Sequence, residues 1–375
     1  LVFEMSEFWD ASRFDELVRK KISIVDVRSE GEFEQGHVPH SVNSPILRDE
    51  ERAKVGLTYK TEGPEAAIRL GHELVSGQTK QARIDDWIRR LSVSENSVIT
   101  CYRGGMRSAL AQSWCREAGV HRPRVRGGYK ALRHFLTEQM ERRTPDLELT
   151  VVSGATGSGK TLLLRDLAGR RCLDLEAMAH HRGSAFGAWT VAQPAPAVFE
   201  NRLAFQMTAF ELERPSREDR LLVEDESRLI GLCVQPESFF LRLRASPIVL
   251  IEESLAARAE ITFDDYIRRT ALNGGEEDEG LRLFDRYLES LRKISRRLGG
   301  LRTSEVEKDL LAARDAYLTS RDLEPNRVWI RKLLEWYYDP MYHSSLEKRS
   351  PRLLFRGDRR EVFEFLSARL DQKAL

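Results

Sequence analysis

The chain of 375 residues contains four cysteines, Cys101, Cys115, Cys172 and Cys233, and none belongs to a C-x-x-C pair. That spacing suggests neither a zinc site nor a disulfide framework. The sequence also lacks any apolar run approaching the roughly 18 residues of a membrane helix. Its opening, Leu1-Val2-Phe3-Glu4-Met5, carries acid where a secretion leader carries base. The expectation is a cytoplasmic protein with no membrane partner. A surplus of one charge sign is missing as well, because 60 basic residues face 59 acidic ones for a net charge of +1. Attraction of nucleic acid by the whole surface is therefore excluded, and any RNA contact must come from a local patch. Lysine is scarce: of the 60 basic residues 12 are lysine and 48 arginine. Arginine suits bidentate phosphate contacts, although genomic base composition produces the same excess.

What is present is length for two domains and 41% apolar residues, enough for a core in each. The first part alternates short strands (Ile22–Val27, Ser97–Thr100, Arg124–Gly128) with helices (Ser108–Ala118, Tyr129–Glu141). This rhythm predicts a parallel sheet covered by helices. The long segment Asp49–Arg90 reads as helical, interrupted at Gly56 and at Gly63-Pro64. Arg142–Asp146, with its proline and charge, reads as a linker. The expected domains are 1–143 and 146–375. The second begins with strand Leu147–Ser153, continues with strands Arg171–Leu175, Arg220–Glu224 and Pro247–Glu252, and turns helical after Ser254.

Two constellations carry chemistry. Cys101-Tyr102-Arg103-Gly104-Gly105-Met106-Arg107-Ser108 joins a β-branched strand to a helix. Such a turn points successive amides into one concavity at a helix N-terminus, an anion cradle. Gly104 and Gly105 let the backbone curl, and Arg103 and Arg107 add positive charge that favours the thiolate. A thiolate there is a nucleophile able to carry sulfur or selenium. Upstream, Asp26-Val27-Arg28 is followed by Glu32-Phe33-Glu34-Gln35-Gly36-His37-Val38-Pro39. Together the two segments resemble the rhodanese signature. The resemblance implies that Asp26 and Arg28 support the active loop, with Glu32 and His37 structural. Five residues separate Cys101 from Arg107, one more than in sulfur-transferring rhodaneses. The longer loop is similar to that of rhodanese-fold phosphatases and suits a tetrahedral group such as selenophosphate.

The second constellation is Gly154-Ala155-Thr156-Gly157-Ser158-Gly159-Lys160-Thr161, placed between a strand and an apolar helix. It fits the phosphate-binding P-loop, or Walker A, pattern. The amides and glycines Gly154, Gly157 and Gly159 wrap phosphates, Lys160 reaches a terminal phosphate, and Thr161 can hold Mg²⁺. The partner acid at the end of a later strand is Glu224 or Asp225. No N-K-x-D guanine-reading motif accompanies the loop. The loop fixes what is gripped, a di- or triphosphate, and leaves the remainder of the ligand open.

A rhodanese-like domain ahead of a P-loop domain, together with Glu50–Gly56, Ala67–His72, Val125–Arg133, His181–Gly187, Val223–Arg228 and Tyr337–Tyr342, resembles the tRNA 2-selenouridine synthases over nearly the full length. The resemblance implies a transferase without a tightly bound cofactor acting on tRNA that carries wobble 2-thiouridine. Geranyl diphosphate first alkylates the sulfur, and selenium from selenophosphate then replaces the geranylated sulfur. Among the shared segments, His181, Arg182, Gly183 and Arg228 are candidate substrate contacts, and Tyr337–Tyr342 reads either as core or as a base-stacking surface. The basic run Arg349–Arg360 is the expected tRNA-facing patch. The alternative reading is a P-loop kinase or NTPase whose rhodanese domain is a regulatory thiol sensor. The two differ in whether ATP is turned over without tRNA.

Overall fold

The computed structural model describes residues 7–167, 171–189, 191–214, 220–269, 277–347 and 352–371. The chain divides into two compact units, Leu1–Arg143 with Pro194–Arg214, and Thr144–Gln193 with Pro215–Leu375.

In the first unit, β1 (Phe8–Trp9), β2 (Ile24–Asp26), β3 (Ser41–Asn43), β4 (Val98–Thr100) and β5 (Arg124–Val125) form a parallel sheet in the order β1-β5-β4-β2-β3. Ile24-Val25-Asp26 pairs with Val98-Ile99-Thr100 on one side and Ser41-Val42-Asn43 on the other. The two central strands are buried throughout, as expected of a parallel sheet covered on both faces. Val25, Val27, Ile99, Trp87, Leu91, Ala111 and Cys115 make one core. Burial pushes the Cys115 thiol up to about 12, so this cysteine is a small hydrophobe.

Three expectations change. The segment Asp49–Arg90 forms three helices, Asp49–Glu62, Pro64–Leu74 and Gly77–Leu91. Gly56 is accommodated inside the first, whereas Gly63, at φ +93°, makes the break ahead of Pro64. Arg142–Asp146 contains the first division between the units, between Arg143 and Thr144, but it is folded: the helix Gly128–Arg143 runs straight into a 3-10 turn at Thr144–Asp146 with Thr144 buried. The third concerns a helix with no earlier counterpart, Pro196–Glu213, which starts on its proline and buries Val198, Phe199, Leu203, Phe205, Met207 and Phe210. Its buried apolar residues are interspersed with Glu200, Asn201, Arg202 and Gln206, so no clean amphipathic stripe marks it. It packs on the Gly128–Arg143 and Phe14–Arg19 helices, so a segment from the second half of the sequence completes the first unit.

In the second unit, β6 (Leu149–Gly154), β7 (Cys172–Leu173), β8 (Leu221–Glu224), β11 (Ile248–Ile251) and β12 (Leu353–Gly357) form a parallel sheet in the order β12-β11-β6-β8-β7. A small antiparallel pair, β9 (Leu229–Ile230) and β10 (Cys233–Val234), stands apart. The helices Leu255–Phe263, Glu277–Leu298, Gly300–Ser320 and Asn326–Leu333 enclose their own core around Phe263, Phe284, Tyr287, Trp329 and Leu333. Two of these helices continue through π-turns, Asp264–Arg268 and Leu334–Tyr338. After the helical region the chain returns to the sheet as β12, covered by the helix Arg359–Asp371. The architecture is a rhodanese-like parallel-sheet unit followed by a P-loop α/β unit with a helical C-terminal region.

Candidate active sites

In the first unit Cys101 directly follows β4, and its sulfur donates to Ser108 Oγ at 3.2 Å, which in turn donates to Gly105 O at 3.1 Å. The helix Met106–Glu117 makes its first backward bond from Ala109 N to Gly105 O. The amides ahead of Ala109 therefore have no helical acceptor, which supplies the cradle that the Gly104-Gly105 turn suggests. The turn lies on Gly127-Gly128: a Cβ at Gly104 would come within 2.6 Å of Val125 O. Tyr129 N and Lys130 N donate to Cys101 O and Tyr102 O, at 2.8 and 3.0 Å.

Asp26 and Arg28 form a buried pair, each 1% exposed, with Arg28 Nη2 2.7 Å from Asp26 Oδ2. Arg28 also donates to Glu32 O and Gly36 O, at 3.1 and 2.7 Å, and lies 4.1 Å above the Tyr129 ring. One guanidinium thus fixes the strand end, the upstream loop and the Tyr129 helix, and its own charge is matched by Asp26. Arg107 is committed to Glu32, with Nη2 3.2 Å from Oε1. Burial works against the Glu32 charge, but this ion pair outweighs it and holds the carboxyl below its ordinary value. Arg103 is exposed at the mouth of the pocket. Cys101, Arg103, Gly105, Arg107, Arg28 and Tyr129 line a common cavity of about 740 Å³.

Ala197 lines the same cavity, and it comes from the Pro196–Glu213 helix. Asn201 of that helix, 2% exposed, donates from Nδ2 to His37 O at 2.8 Å and to Tyr129 Oη at 3.2 Å. Its Oδ1 accepts from Arg133 Nη1 at 3.2 Å. No sequence spacing links these residues to Cys101, so only the fold reveals them.

In the second unit β6 delivers the P-loop, and the helix Lys160–Asp166 starts from Gly159, whose φ of +81° a side chain would strain. Lys160 Nζ donates to Gly154 O at 2.9 Å. Thr161 Oγ1 lies 2.9 Å from Glu176 Oε2 and 3.0 Å from Glu224 Oε2, and Glu176 N donates to Glu224 Oε1 at 2.8 Å. Of the two acids left open by strand parity, Glu224 therefore meets Thr161. Asp225 instead accepts from Ser153 Oγ at 2.6 Å and lines the cleft.

Carboxylate oxygens of Glu176, Glu224 and Glu226 lie within 4.8 Å of one another. Burial, reinforced by mutual repulsion, pushes Glu224 well above the ordinary range and Glu226 up to about 8. Burial likewise pushes Glu176 up to about 7, against the pull of Lys160. Three hard oxygen donors beside a P-loop threonine fit a small divalent cation such as Mg²⁺. Neither Glu176 nor Glu226 belongs to the P-loop pattern; the helix Leu175–Ala179 and the end of β8 bring them in.

The cleft around the loop has a volume of about 600 Å³. Its lining combines the apolar and aromatic side chains Ile261, Tyr266, Tyr337, Tyr338, Met341 and Leu346 with the charged Arg165, Arg244, Asp265 and Arg269. The two π-turns carry Tyr266 and the Tyr337-Tyr338 pair, and π-turns recur at functional sites because the wider turn re-aims side chains. Tyr337 and Tyr338 belong both to the helical core and to the cleft wall. Asp339 holds Arg258 through two contacts of 2.7 Å, and Arg258 donates to Thr156 O at 3.2 Å, tying this segment to the P-loop.

The remaining candidates divide. Arg182 and Gly183 line the cleft, with Arg182 Nε held by Asp265 Oδ2 at 2.7 Å. His181 bridges to Ala188, which lines the cleft, without lining it itself, and Phe186 is buried in the helical core. Arg228 is not brought to the phosphates: it is exposed at the β9–β10 pair, 3.6 Å from Glu237. The expected basic tail is dispersed. Arg349 lies outside the described residues, Arg356 sits 3.4 Å from Glu252, and Arg359 packs on Gly159.

The chain matches the family model of the tRNA 2-selenouridine synthase AAA domain over residues 147–373 and the rhodanese-like domain over residues 10–134. It is 47% identical to the tRNA 2-selenouridine synthase of Bdellovibrio bacteriovorus, across 93% of this chain and 96% of that one. Identity to the Nitrosomonas europaea protein of the same name is 41%, across 92% and 94%. The Pseudomonas putida protein of that name is also 41% identical, across 96% and 97%. Extending across both units and both candidate sites, this likeness places the chain in the tRNA 2-selenouridine synthase family.

Proposed function

We propose that the protein converts wobble 2-thiouridine of tRNA to 2-selenouridine in two steps, one at each site. In the first, the thiocarbonyl sulfur attacks C1 of geranyl diphosphate. The S–C bond forms, the C–O bond to diphosphate breaks, and the N3 proton is lost. In the second, a selenide equivalent from selenophosphate adds at C2 and geranyl thiol leaves, while water takes up the phosphoryl group.

The observation that carries this reading is the character of the P-loop cleft. The same cleft that holds the P-loop is lined by Ile261, Tyr266, Tyr337, Tyr338, Met341 and Leu346, side chains that would suit a hydrocarbon chain on a diphosphate. Lys160 would stabilise charge growing on the departing diphosphate. Thr161, Glu176, Glu224 and Glu226 would hold Mg²⁺, whose charge would offset that of the diphosphate. Arg182 and Gly183 border the reacting end. The cradle around Cys101 would receive selenophosphate, with Arg103 and the loop amides on its oxygens and Asp26 and Arg28 keeping the loop in place.

The test uses purified protein with tRNA bearing 2-thiouridine. Geranyl diphosphate alone should give S-geranyl-2-thiouridine by nucleoside mass spectrometry, and adding selenophosphate should give 2-selenouridine. Turnover of ATP in the absence of tRNA, with no geranylated nucleoside, would instead favour the kinase or NTPase reading.

A further inference from the structure

Between Glu289 and Glu305 the sequence holds Arg292, Lys293, Arg296, Arg297 and Arg302 and no acid, in a chain whose charges otherwise balance. Arg292, Lys293, Arg296 and Arg297 occupy the last turns of the Glu277–Leu298 helix, exposed and opposite its buried stripe of Leu291, Ile294 and Leu298. Gly299, at φ +91°, turns the chain into the next helix, whose first turn carries Arg302. Cations at the end of a helix complement its dipole, but one in the first turn opposes it, so helix stability does not account for Arg302. Among the described residues neither Arg296 nor Arg302 has an ion-pair partner, and Glu289, the acid nearest to Arg292 in the sequence, is bound by Lys293 at 2.9 Å.

This corner adjoins the P-loop cleft. Arg297 Nη1 lies 3.0 Å from Met341 Sδ, and Met341 lines the cleft. Arg302 lies 5.5 Å and Lys332 5.4 Å from the ring centre of Trp336, which immediately precedes the cleft residues Tyr337 and Tyr338. Lys332 is held by Asp309 at 2.7 Å, which leaves the exposed Arg302 as the open cation beside the ring. An exposed cation and an aromatic ring at the rim of an aromatic cleft are features by which proteins hold a single strand of RNA, backbone outside and base inside.

We propose that Arg292, Arg296 and Arg302 bind the phosphate backbone of the tRNA strand that presents its base to the cleft, so that the tRNA-facing patch lies at this corner rather than in the C-terminal run. The proposal rests on the reading of the cleft as the site of sulfur alkylation. The test replaces the three arginines by alanine and measures affinity for full-length tRNA across a salt series. Losing three phosphate contacts should lower the log–log salt slope by roughly 2, so that wild-type affinity falls roughly twentyfold more than the variant's between about 50 and 200 mM salt. Lysine at all three positions should restore most of the slope, because charge and not shape is at issue. Geranyl diphosphate alone should bind the alanine variant as it binds wild type. Unchanged tRNA affinity and slope would overturn the assignment, as would equal loss of geranyl diphosphate binding, which would mean a damaged cleft. If wild type binds tRNA at this corner yet never forms the S-geranyl nucleoside, the alkylation reading fails and the RNA surface stands.

Discussion

Replacing Asn201 by leucine isolates the contribution of the Pro196–Glu213 helix to the thiol site. The side chain is 2% exposed, and leucine matches it in size, so the change removes hydrogen bonds with little change in packing. It takes a donor from His37 O and Tyr129 Oη and an acceptor from Arg133. Each lost bond costs on the order of 1 kcal/mol, and more where the abandoned group stays dry, giving about 3 kcal/mol. For a unit of this size that is roughly 6–12 °C in melting temperature. Calorimetry of the full chain should show one unfolding transition falling by that amount. Hydrogen exchange should place the loss around Arg28–His37, Tyr129–Arg133 and the Pro196–Glu213 helix, and alkylation of Cys101 should accelerate as its loop loosens. A transition unmoved within about 1 °C, or exchange that rises as much around the P-loop, would refute the assignment of this helix to the Cys101 pocket.

Cys101→Ser should abolish selenation and spare geranylation, so geranylated tRNA accumulates; selenation at the wild-type rate would remove the thiol from the mechanism. Lys160→Ala should slow geranyl transfer by about 10²–10³ with an unchanged melting curve, and transfer within about threefold of wild type would contradict its role. In chelator the carboxyl cluster should make the fold lose stability with rising pH. Glu176 and Glu226 titrate near 7 and 8 in the folded chain against 4.5 for the free group, so their contribution is complete below about 4.5 and disappears as pH passes through 7 to 8. Melting temperature should therefore fall between about pH 4.5 and 8 and level off above, Mg²⁺ should reverse the fall, and Glu226→Gln should flatten it. Flat melting temperatures across that window would dissociate the cluster from stability.

Both chemical loops were legible in the sequence because each is local. A P-loop needs its glycines, lysine and threonine at fixed spacing between one strand and one helix, and the Cys101 turn is equally self-contained. Glu224 could be narrowed only to a pair with Asp225, because strand parity says nothing about which face meets Thr161. Glu176, Glu226 and Asn201 were not legible, since three separate elements place them and no spacing records that placement. The strands β1, β3 and β12 escaped notice because the first two have only 2 and 3 residues and the last follows a long helical stretch. In the Pro196–Glu213 helix polar and apolar residues are interspersed around the axis, so no periodic pattern marks it. The arginine excess pointed to phosphate contacts without locating them, because Arg28, Arg107, Arg182 and Arg258 serve the protein's own carboxylates.

The connectivity of the first unit also constrains the order in which a ribosome can complete it. Its sheet is fully synthesised once β5 has emerged, yet the helix that fills its cavity wall and satisfies His37 O and Tyr129 Oη ends only at Glu213. In between, the chain must produce β6, the P-loop and β7, all of which belong to the other unit. The thiol centre therefore matures late, waiting on a segment made after the phosphate loop, and a nascent chain stopped at Arg143 would hold Cys101 in a site whose wall is still unmade. A cell that makes this protein cannot obtain a finished Cys101 unit without also having begun the P-loop unit.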